Sequence, residues 1–476
     1  MEEKLNEALN YFKRNVPRLK GDVLDSNVLI VSHYDADGLS AASIIAKGLK
    51  VNDATFHLKI LEQLDEESME ELASLDYDVI IFADMGSGQV DLIEKSLSPS
   101  TRAILLDHHQ PLKEAESPNI VDFNPHHLGI DGGSQASAST ISYLFIKELG
   151  ADLPELAALA VVGALGDRQD VGRMRSLIGL NRLVLEEGVE RGVLSTEVGL
   201  RLFGLRNRPL VKCIEYSIDP YLPGLSGDES SVVLFLKKIG IEPAEGGKLR
   251  DYSSLSKEEQ KRLATELVKY LINMGYSASQ AESIFGTLYF LIKEDPLTPL
   301  YEAREYATLL NACGRLERHE VAITLGLGYR DRHLQEALRI LNEYRRLISS
   351  FINRLKNSKE DYVRTYAQGR LVLVDCRDEV PSKAIGALAS LLASSKVLSL
   401  RGPLIVAGGG DKVKISARLP PSSEYEVNLG EMLAHASRHV GGRGGGHARA
   451  AGAVIGRSKL EAFMKFISES ILKPPP

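Results

Sequence analysis

The chain has 476 residues and a mass of 52.1 kDa, too long for one ordinary domain, and about three are expected at roughly 150 residues each. Hydrophobic residues make up 44% and charged residues 25%, which excludes a disordered chain and allows sizeable buried cores. The net charge is −7, from 57 Lys and Arg against 64 Asp and Glu, which excludes a broad basic surface. A nucleic-acid ligand would have to enter a local groove, with metal ions offsetting any acidic site.

The first twenty residues are charged but place Leu5, Ala8, Leu9, Phe12 and Val16 at helical spacing. This predicts an amphipathic helix and not a secretion signal. No apolar run reaches the roughly 18 residues that span a bilayer, so a cytoplasmic protein is expected, away from membranes. Apolar runs follow at Asn27–Ser32, Thr55–Leu61, Asp78–Ala83, Arg102–Leu106 and Asn119–Phe123. Helical patterns lie between them, at Leu39–Leu49 and Glu66–Ser74, and two more follow at Ala136–Leu149 and Pro154–Leu165. The alternation predicts a parallel α/β sheet in a domain over 1–178. From Gly179 to Pro209 the pattern is charged and helical, a connecting helix assigned to 179–217. A mostly helical inserted module is expected at 218–300, opening on Pro220, Pro223 and Gly224. Ala303–Leu316 and His333–Leu355 predict a helical connector over 301–360. A smaller α/β domain over 361–476 would carry strands at Gly369–Val374, Pro403–Ala407 and Lys412–Ala417 and a helix at Leu429–His439. The chain closes on the proline tail Pro474–Pro476. Cys213, Cys313 and Cys376 are too far apart to spell a zinc pair, and a disulfide framework is not expected in the cytosol.

Four polar sets stand out, three of them at strand ends. They are His33-Tyr34-Asp35-Ala36-Asp37-Gly38, Asp84-Met85-Gly86, Asp107-His108-His109 and Gly166-Asp167. One aspartate after a strand is ordinarily a cap. Ligands of an open parallel sheet bind beyond the carboxyl ends of its strands, so four such sets would converge on one crevice. Like charges crowded there raise each other's pKa unless cations compensate them. Carboxylates and imidazoles without thiolates suit Mn²⁺ or Mg²⁺, and a shared carboxylate would hold two ions about 3.5–4 Å apart.

A second signal is a glycine-rich loop, Gly441–Gly446 with His447, followed by alanines that read as a helix start. Such backbone amides can approach a phosphate, and a helix N-terminus would favour it. Ser416 and Arg418 sit on the preceding strand pattern. The bland alternative for Arg418 is a surface salt bridge. His126 and His127 read as loop residues, and His57, His319, His333, His435 and His439 have no partner at a telling spacing. With 6% aromatics and no Trp, no broad base-stacking platform is expected.

Asp35-Ala36-Asp37-Gly38, the Asp84 segment, Asp107-His108-His109 and Gly166-Asp167 resemble, in order, the four motifs of the DHH phosphoesterase superfamily. The glycine run resembles its DHH-associated domain. Leu200–Pro209 and Glu302–Leu316 resemble the archaeal RecJ-like nucleases more specifically. The resemblance implies that His33, Asp35 and Asp84 hold one Mn²⁺. Asp37, Asp84, His108 and Asp167 would hold a second, with Asp84 bridging and Mg²⁺ as the alternative ion. Asp107 would assist, and His109 would face the scissile phosphate. Ser416, Arg418, Gly444, Gly445, Gly446 and His447 would bind substrate phosphate. The implied activity is hydrolysis of single-stranded DNA, or RNA, from a chain end, in a cleft between two lobes. The implied setting is replication or repair, with the GINS complex or a repair helicase as protein partner. Two rivals are a nanoRNase or cyclic-dinucleotide phosphodiesterase and a non-catalytic replication scaffold. End polarity and oligomeric state are not encoded in the motifs.

Overall fold

A computed structural model describes residues 2–217, 220–395, 397–420, 423 and 427–472. Ile218, where the middle module was expected to start, and Pro474–Pro476 lie outside the described residues. The chain divides into two units: Met1–Arg208 with Glu282–Leu341, and Pro209–Ala281 with Asn342–Pro476. The limits expected above follow composition, whereas these units follow contacts, and the two divisions cut the chain at different places.

In the first unit, helix α1 (Glu2–Asn15) buries Leu5, Ala8 and Phe12. Strands β1 (Val28–His33), β2 (Phe56–Leu61), β3 (Val79–Ala83), β4 (Arg102–Leu106) and β5 (Ile120–Asp122) form a parallel sheet of order β2-β1-β3-β4-β5. β3 is apolar at every position because both faces of the sheet are covered. On one face Leu29, Val31, Phe82 and Leu105 pack with Met69 and Leu72 of α3 (Glu66–Ala73) and Val90 and Ile93 of α4 (Val90–Ser96). The helix after β1, α2 (Ala36–Val51), packs with α5 (Ala138–Leu149) and α6 (Glu155–Gly166). α6 reads ELAALAVVGALG, and all of Leu156–Leu165 is buried, as expected of a helix apolar on every side.

Strand order reverses between β1 and β3, the switch point at which such sheets bind ligands. Ser32, Ala83 and Leu106 share one rung of the ladder, so His33, Asp84 and Asp107 each come one step beyond it.

The charged stretch after Gly179 is helical only through α7 (Gly179–Glu190). Leu194–Leu200 is instead strand β6, paired antiparallel with β7 (Phe285–Leu291). Only the two ends of LSTEVGL are buried, so a local pattern does not reveal it, and its partner is supplied from beyond the insertion. α8 (Ala303–Arg315) then packs on α2 and α6, and α9 (His319–Gly326) packs on α2.

In the second unit, the insertion contributes helices Leu210–Glu215, Glu229–Lys238 and Lys257–Asn273. The last begins with a Ser256–Glu259 capping box and buries Leu263, Leu267 and Leu271 along one face. The long helix α10 (Arg332–Asn357) contains the point where the two units divide. Strands β8 (Val363–Tyr366), β9 (Leu371–Asp375), β10 (Leu404–Gly408), β11 (Lys412–Arg418), β12 (Arg443–Gly446) and β13 (Ala450–Gly456) form a mixed sheet of order β8-β9-β10-β11-β13-β12. Leu373, Ile405, Ile415 and Ala453 form a core with α12 (Leu429–His439) and α13 (Leu460–Leu472). α11 (Ile385–Ser394) packs on β10 and β11.

Two expectations for the glycine run are corrected here. Arg443–Gly446 is an edge strand and not a loop, and the alanines after it form β13 and not a helix. Ala451, Ala453 and Ile455 are buried at alternate positions, a period of two, and pairing with β11 overrides the helix preference of alanine. No helix among the described residues is long and apolar enough to cross a membrane.

Candidate metal centre

The strand-end residues meet at the switch point. Asp35 caps α2, with its Oδ1 accepting from Gly38 N at 3.0 Å. A Cβ at Gly38 would stand 2.4 Å from the His33 carbonyl oxygen, so only glycine lets α2 start this close to β1. Asp35 Oδ2 lies 3.0 Å from His33 Nδ1, and Asp84 Oδ2 lies 3.4 Å from the same nitrogen. Asp84 has a left-handed backbone, φ 59°, a conformation that costs a non-glycine residue on the order of 1 kcal/mol and clusters at functional sites. Its Oδ1 is 3.1 Å from His108 Nε2, which is also 3.1 Å from Asp167 Oδ2 and 3.9 Å from Asp37 Oδ2. Asp37 is fully buried at the N-terminus of α5, with its Oδ2 accepting from Ala138 N at 2.7 Å and its Oδ1 from Ser139 N at 3.0 Å.

Ligand atoms lie within 4.8 Å of one another in three groups: His33, Asp35 and Asp84; Asp37, Asp84, His108 and Asp167; and Asp84, Asp107, His108 and His109. Asp84 belongs to all three. Asp107 carries the most hydrogen bonds of the set: both its oxygens accept, as in Asp37, and Oδ1 alone accepts three. Oδ2 accepts from Ser87 N at 2.9 Å, and Oδ1 accepts from His108 N at 2.8 Å, His109 N at 3.2 Å and His109 Nδ1 at 2.8 Å. It orients His109, whose side chain is 54% exposed, and leaves that ring's Nε2 available.

The charges are in tension. Burial first, then Asp167 and Asp84, raises the Asp37 carboxyl well above the usual range. Burial also raises Asp167, against the His108 hydrogen bond that lowers it. Burial would depress His33 and His108, but their carboxylate neighbours outweigh it and raise both. For Asp35 and Asp107 burial opposes ionisation, yet His33 and His109 respectively hold these carboxyls well below the usual range. Burial lowers His109 less than Asp107 raises it, which places it at about 9. Asp84 Oδ2 is buried with no hydrogen-bond partner, since His33 Nδ1 stands beyond good bonding geometry. This orphaned oxygen among crowded carboxylates and imidazoles fits a divalent cation, and the donor set is that of Mn²⁺ or Mg²⁺.

The C-terminal residues form a separate group. Ser416 and Arg418 share a face of β11, and Arg418 Nη1 donates to Ser416 Oγ at 2.9 Å. Arg418 Nε donates to Ser390 Oγ of α11 at 2.9 Å. Ser416, Gly452 and Gly445 share a rung, so bare backbone continues beside the serine that Arg418 touches. Gly444 and Gly446 flank Gly445 in β12, and His447 is exposed in the turn, where its N donates to Ala450 O at 2.8 Å.

Several residues escape a reading of motifs. Asn124 is buried and donates to the His109 carbonyl oxygen at 2.7 Å and to Ser87 Oγ at 2.9 Å. Gln169, Asn181, Ser137 and Ser139 surround His108 and Asp37. Being neutral, they give no signal beyond their closeness to Asp167 and to a helix start. His126 and His127 belong to none of the three groups among the described residues, and His127 pairs with Asp122 at 2.8 Å.

The doubly covered parallel sheet, the acidic switch point and the second sheet domain together have the fold of the DHH phosphoesterase class. Models of the DHH family N-terminal domain, the DHH-CID domain and the DHHA1 domain match residues 27–164, 202–285 and 368–473. The chain belongs to the DHH family, and the middle module is its DHH-CID domain. It is 30% identical over 478 residues to the uncharacterized protein MJ0831 of Methanocaldococcus jannaschii, covering 98% of each chain. It is 31% identical over 209 residues to the single-stranded-DNA-specific exonuclease RecJ of Thermus thermophilus, a match spanning 42% of this chain and 28% of that protein. The RecJ crystal structure with Mn²⁺ from that organism aligns at TM-score 0.58 and 19% identity, over 98% of this chain and 55% of the other. CDC45 from Entamoeba histolytica aligns at TM-score 0.64 and 12% identity, over 98% and 99% of the two chains.

Proposed function

We propose that the protein is a divalent-metal-dependent exonuclease that hydrolyses single-stranded nucleic acid from a chain end, in DNA replication or repair. The observation that carries this reading is the pair of ligand groups that share Asp84, His33 with Asp35 and Asp37 with His108 and Asp167. In this reading His33, Asp35 and Asp84 hold one cation, and Asp37, Asp84, His108 and Asp167 hold the other. When bound, the cations supply Lewis acidity and an activated water. Asp107 keeps His109 protonated and aimed, so that its Nε2–H can stabilise charge building on the phosphate. Ser416, Arg418, His447 and the bare backbone at Gly444, Gly445 and Gly446 supply phosphate contacts along the strand. Single-stranded DNA, or RNA, is the substrate, and GINS or a repair helicase is the partner protein.

A scaffold reading is favoured by the fold shared with CDC45 over the whole chain. The complete set of acidic groups and imidazoles favours catalysis instead. The test is digestion of 5′- and 3′-labelled single-stranded DNA and RNA with Mn²⁺, beside a dinucleotide. Stepwise shortening from one label, abolished by chelator, supports the proposal. Cleavage of the dinucleotide alone would indicate a nanoRNase, and no cleavage of any substrate would favour the scaffold.

A further inference from the structure

Gln169 follows Asp167 by two residues, and Asn181 lies in the first turn of α7. Both are neutral and 1% exposed. Asn181 Nδ2 donates to Gln169 Oε1 at 2.6 Å. Asn181 Oδ1 accepts from Ser137 N at 3.0 Å and from Thr140 Oγ1 at 2.7 Å. Gln169 Nε2 donates to Gly132 O at 2.9 Å, so each polar atom of both side chains has a partner.

The two ends of this chain of bonds reach different residues of the metal centre. Gly132 O also faces His108 Nδ1 at 2.8 Å. A carbonyl oxygen only accepts, so a proton sits on Nδ1, and Nε2 is the nitrogen that faces Asp84 and Asp167 and would offer its lone pair to a cation held there. Gln169 Nε2 is 3.3 Å from the same Nδ1, but both are donors, so this is contact and not a bond. At the other end Ser137 caps α5, and its Oγ is 2.9 Å from Ser139 Oγ. The next two amides, Ala138 N and Ser139 N, hold the two oxygens of Asp37.

We infer that Gln169 and Asn181 are positioning residues of the metal centre, a buried amide pair that fixes the direction of the His108 ring at one end and the seat of Asp37 at the other. The inference rests on the divalent-cation reading above. A satisfied polar network in a dry interior is stiff, and outer partners of metal-holding histidines commonly change affinity or activity by about 10–100-fold. A pair serving only the core would change stability and leave the ions alone.

The experiment uses the full chain. Mn²⁺ is titrated calorimetrically into the wild type, Asn181→Asp and Gln169→Met, and the metal-free proteins are melted alongside. Asn181→Asp keeps the acceptor for Ser137 and Thr140 but has no N–H for Gln169. Gln169→Met keeps the length and releases Gly132. Each variant is expected to bind Mn²⁺ about 10–100-fold more weakly, with kcat lowered and KM little changed. A lower melting temperature with unchanged Mn²⁺ affinity marks a purely structural pair and overturns the inference. Failure of both variants to fold also overturns it, by making the pair an element of the core. No Mn²⁺ binding by the wild type would overturn the cation reading itself, and the inference with it.

Discussion

Replacing Gly163 with alanine puts one methyl group against the most buried part of the metal centre. Gly163 lies in α6, where a Cβ would stand 2.1 Å from Ser139 Oγ and 2.4 Å from Asp37 Oδ1. Ordinary contact for a methyl carbon begins near ~3.5 Å, so the neighbours must part by roughly 1 Å. Ser139 cannot yield freely, because its Oγ donates to Ala160 O at 3.0 Å and its N holds Asp37. Overpacking costs ~1–3 kcal/mol, and loosening one such hydrogen bond costs ~1 kcal/mol more. Alanine returns ~1 kcal/mol of helix propensity, so the net loss is ~1–3 kcal/mol. At roughly 2–4 °C per kcal/mol, the metal-free melting temperature should drop by about 2–12 °C. Mn²⁺ affinity should fall as well, because Asp37 is pushed off its two amides. In Ser139→Ala/Gly163→Ala the 2.1 Å clash is gone, while those with the Cβ of residue 139 at 2.6 Å and with Asp37 at 2.4 Å stay, so melting should recover in part and Mn²⁺ affinity less. Calorimetric titration and thermal melting measure both. Wild-type melting and wild-type Mn²⁺ affinity in Gly163→Ala would refute the packing described between α6, α5 and Asp37.

Asp37→Asn and Asp167→Asn should each abolish hydrolysis of single-stranded DNA in Mn²⁺ while leaving the circular dichroism of the fold in place, since each removes a charge from the ion-holding set. Arg418→Ala should weaken single-strand binding about tenfold to a hundredfold, as expected for a charge-assisted contact of ~1.5–3 kcal/mol, and reduce the salt slope by about 0.7. Isotherms at several salt concentrations read both effects. Glu305 predicts a pH dependence of stability remote from the metal residues. Burial first, then Glu302, pushes its carboxyl up to about 7 from an ordinary value of 4.5. The folded protein therefore holds a proton that the unfolded chain has released. Stability should fall as pH rises from about 4.5 through 7, by at most ~3.4 kcal/mol at 1.36 kcal/mol per unit. Urea midpoints across that range should flatten in Glu305→Gln.

The strands and acids of the first unit are legible in sequence because each signal is local. An apolar run followed at once by Asp or His gives both the strand and the group at its end. That His33, Asp84 and His108 meet follows from a rule about parallel sheets rather than from their spacing. Three features are hidden for physical reasons. β6 shows no alternation because its middle is exposed, and its partner arrives after the insertion. The alanines of β13 favour a helix in isolation, and the strand depends on pairing with β11 and β12. Asn124, Gln169 and Asn181 are neutral amides whose importance lies only in what they touch. Arg418 is legible as a basic residue on a strand, but Ser390, which fixes its direction, comes from a helix 28 residues away.

The shared rung of Ser32, Ala83 and Leu106 has a thermodynamic consequence for any ion held just beyond it. Neighbouring parallel strands are spaced at about 4.8 Å by their backbone hydrogen bonds, so that ladder sets the distances between His33, Asp84 and Asp107 before an ion arrives. Capture then requires little ordering of the protein, and nearly all the attraction appears as affinity. The same linkage runs in reverse. An ion that binds only the assembled ladder resists its unfolding, so β1, β3 and β4 should be the segments whose amide exchange slows most when Mn²⁺ is added.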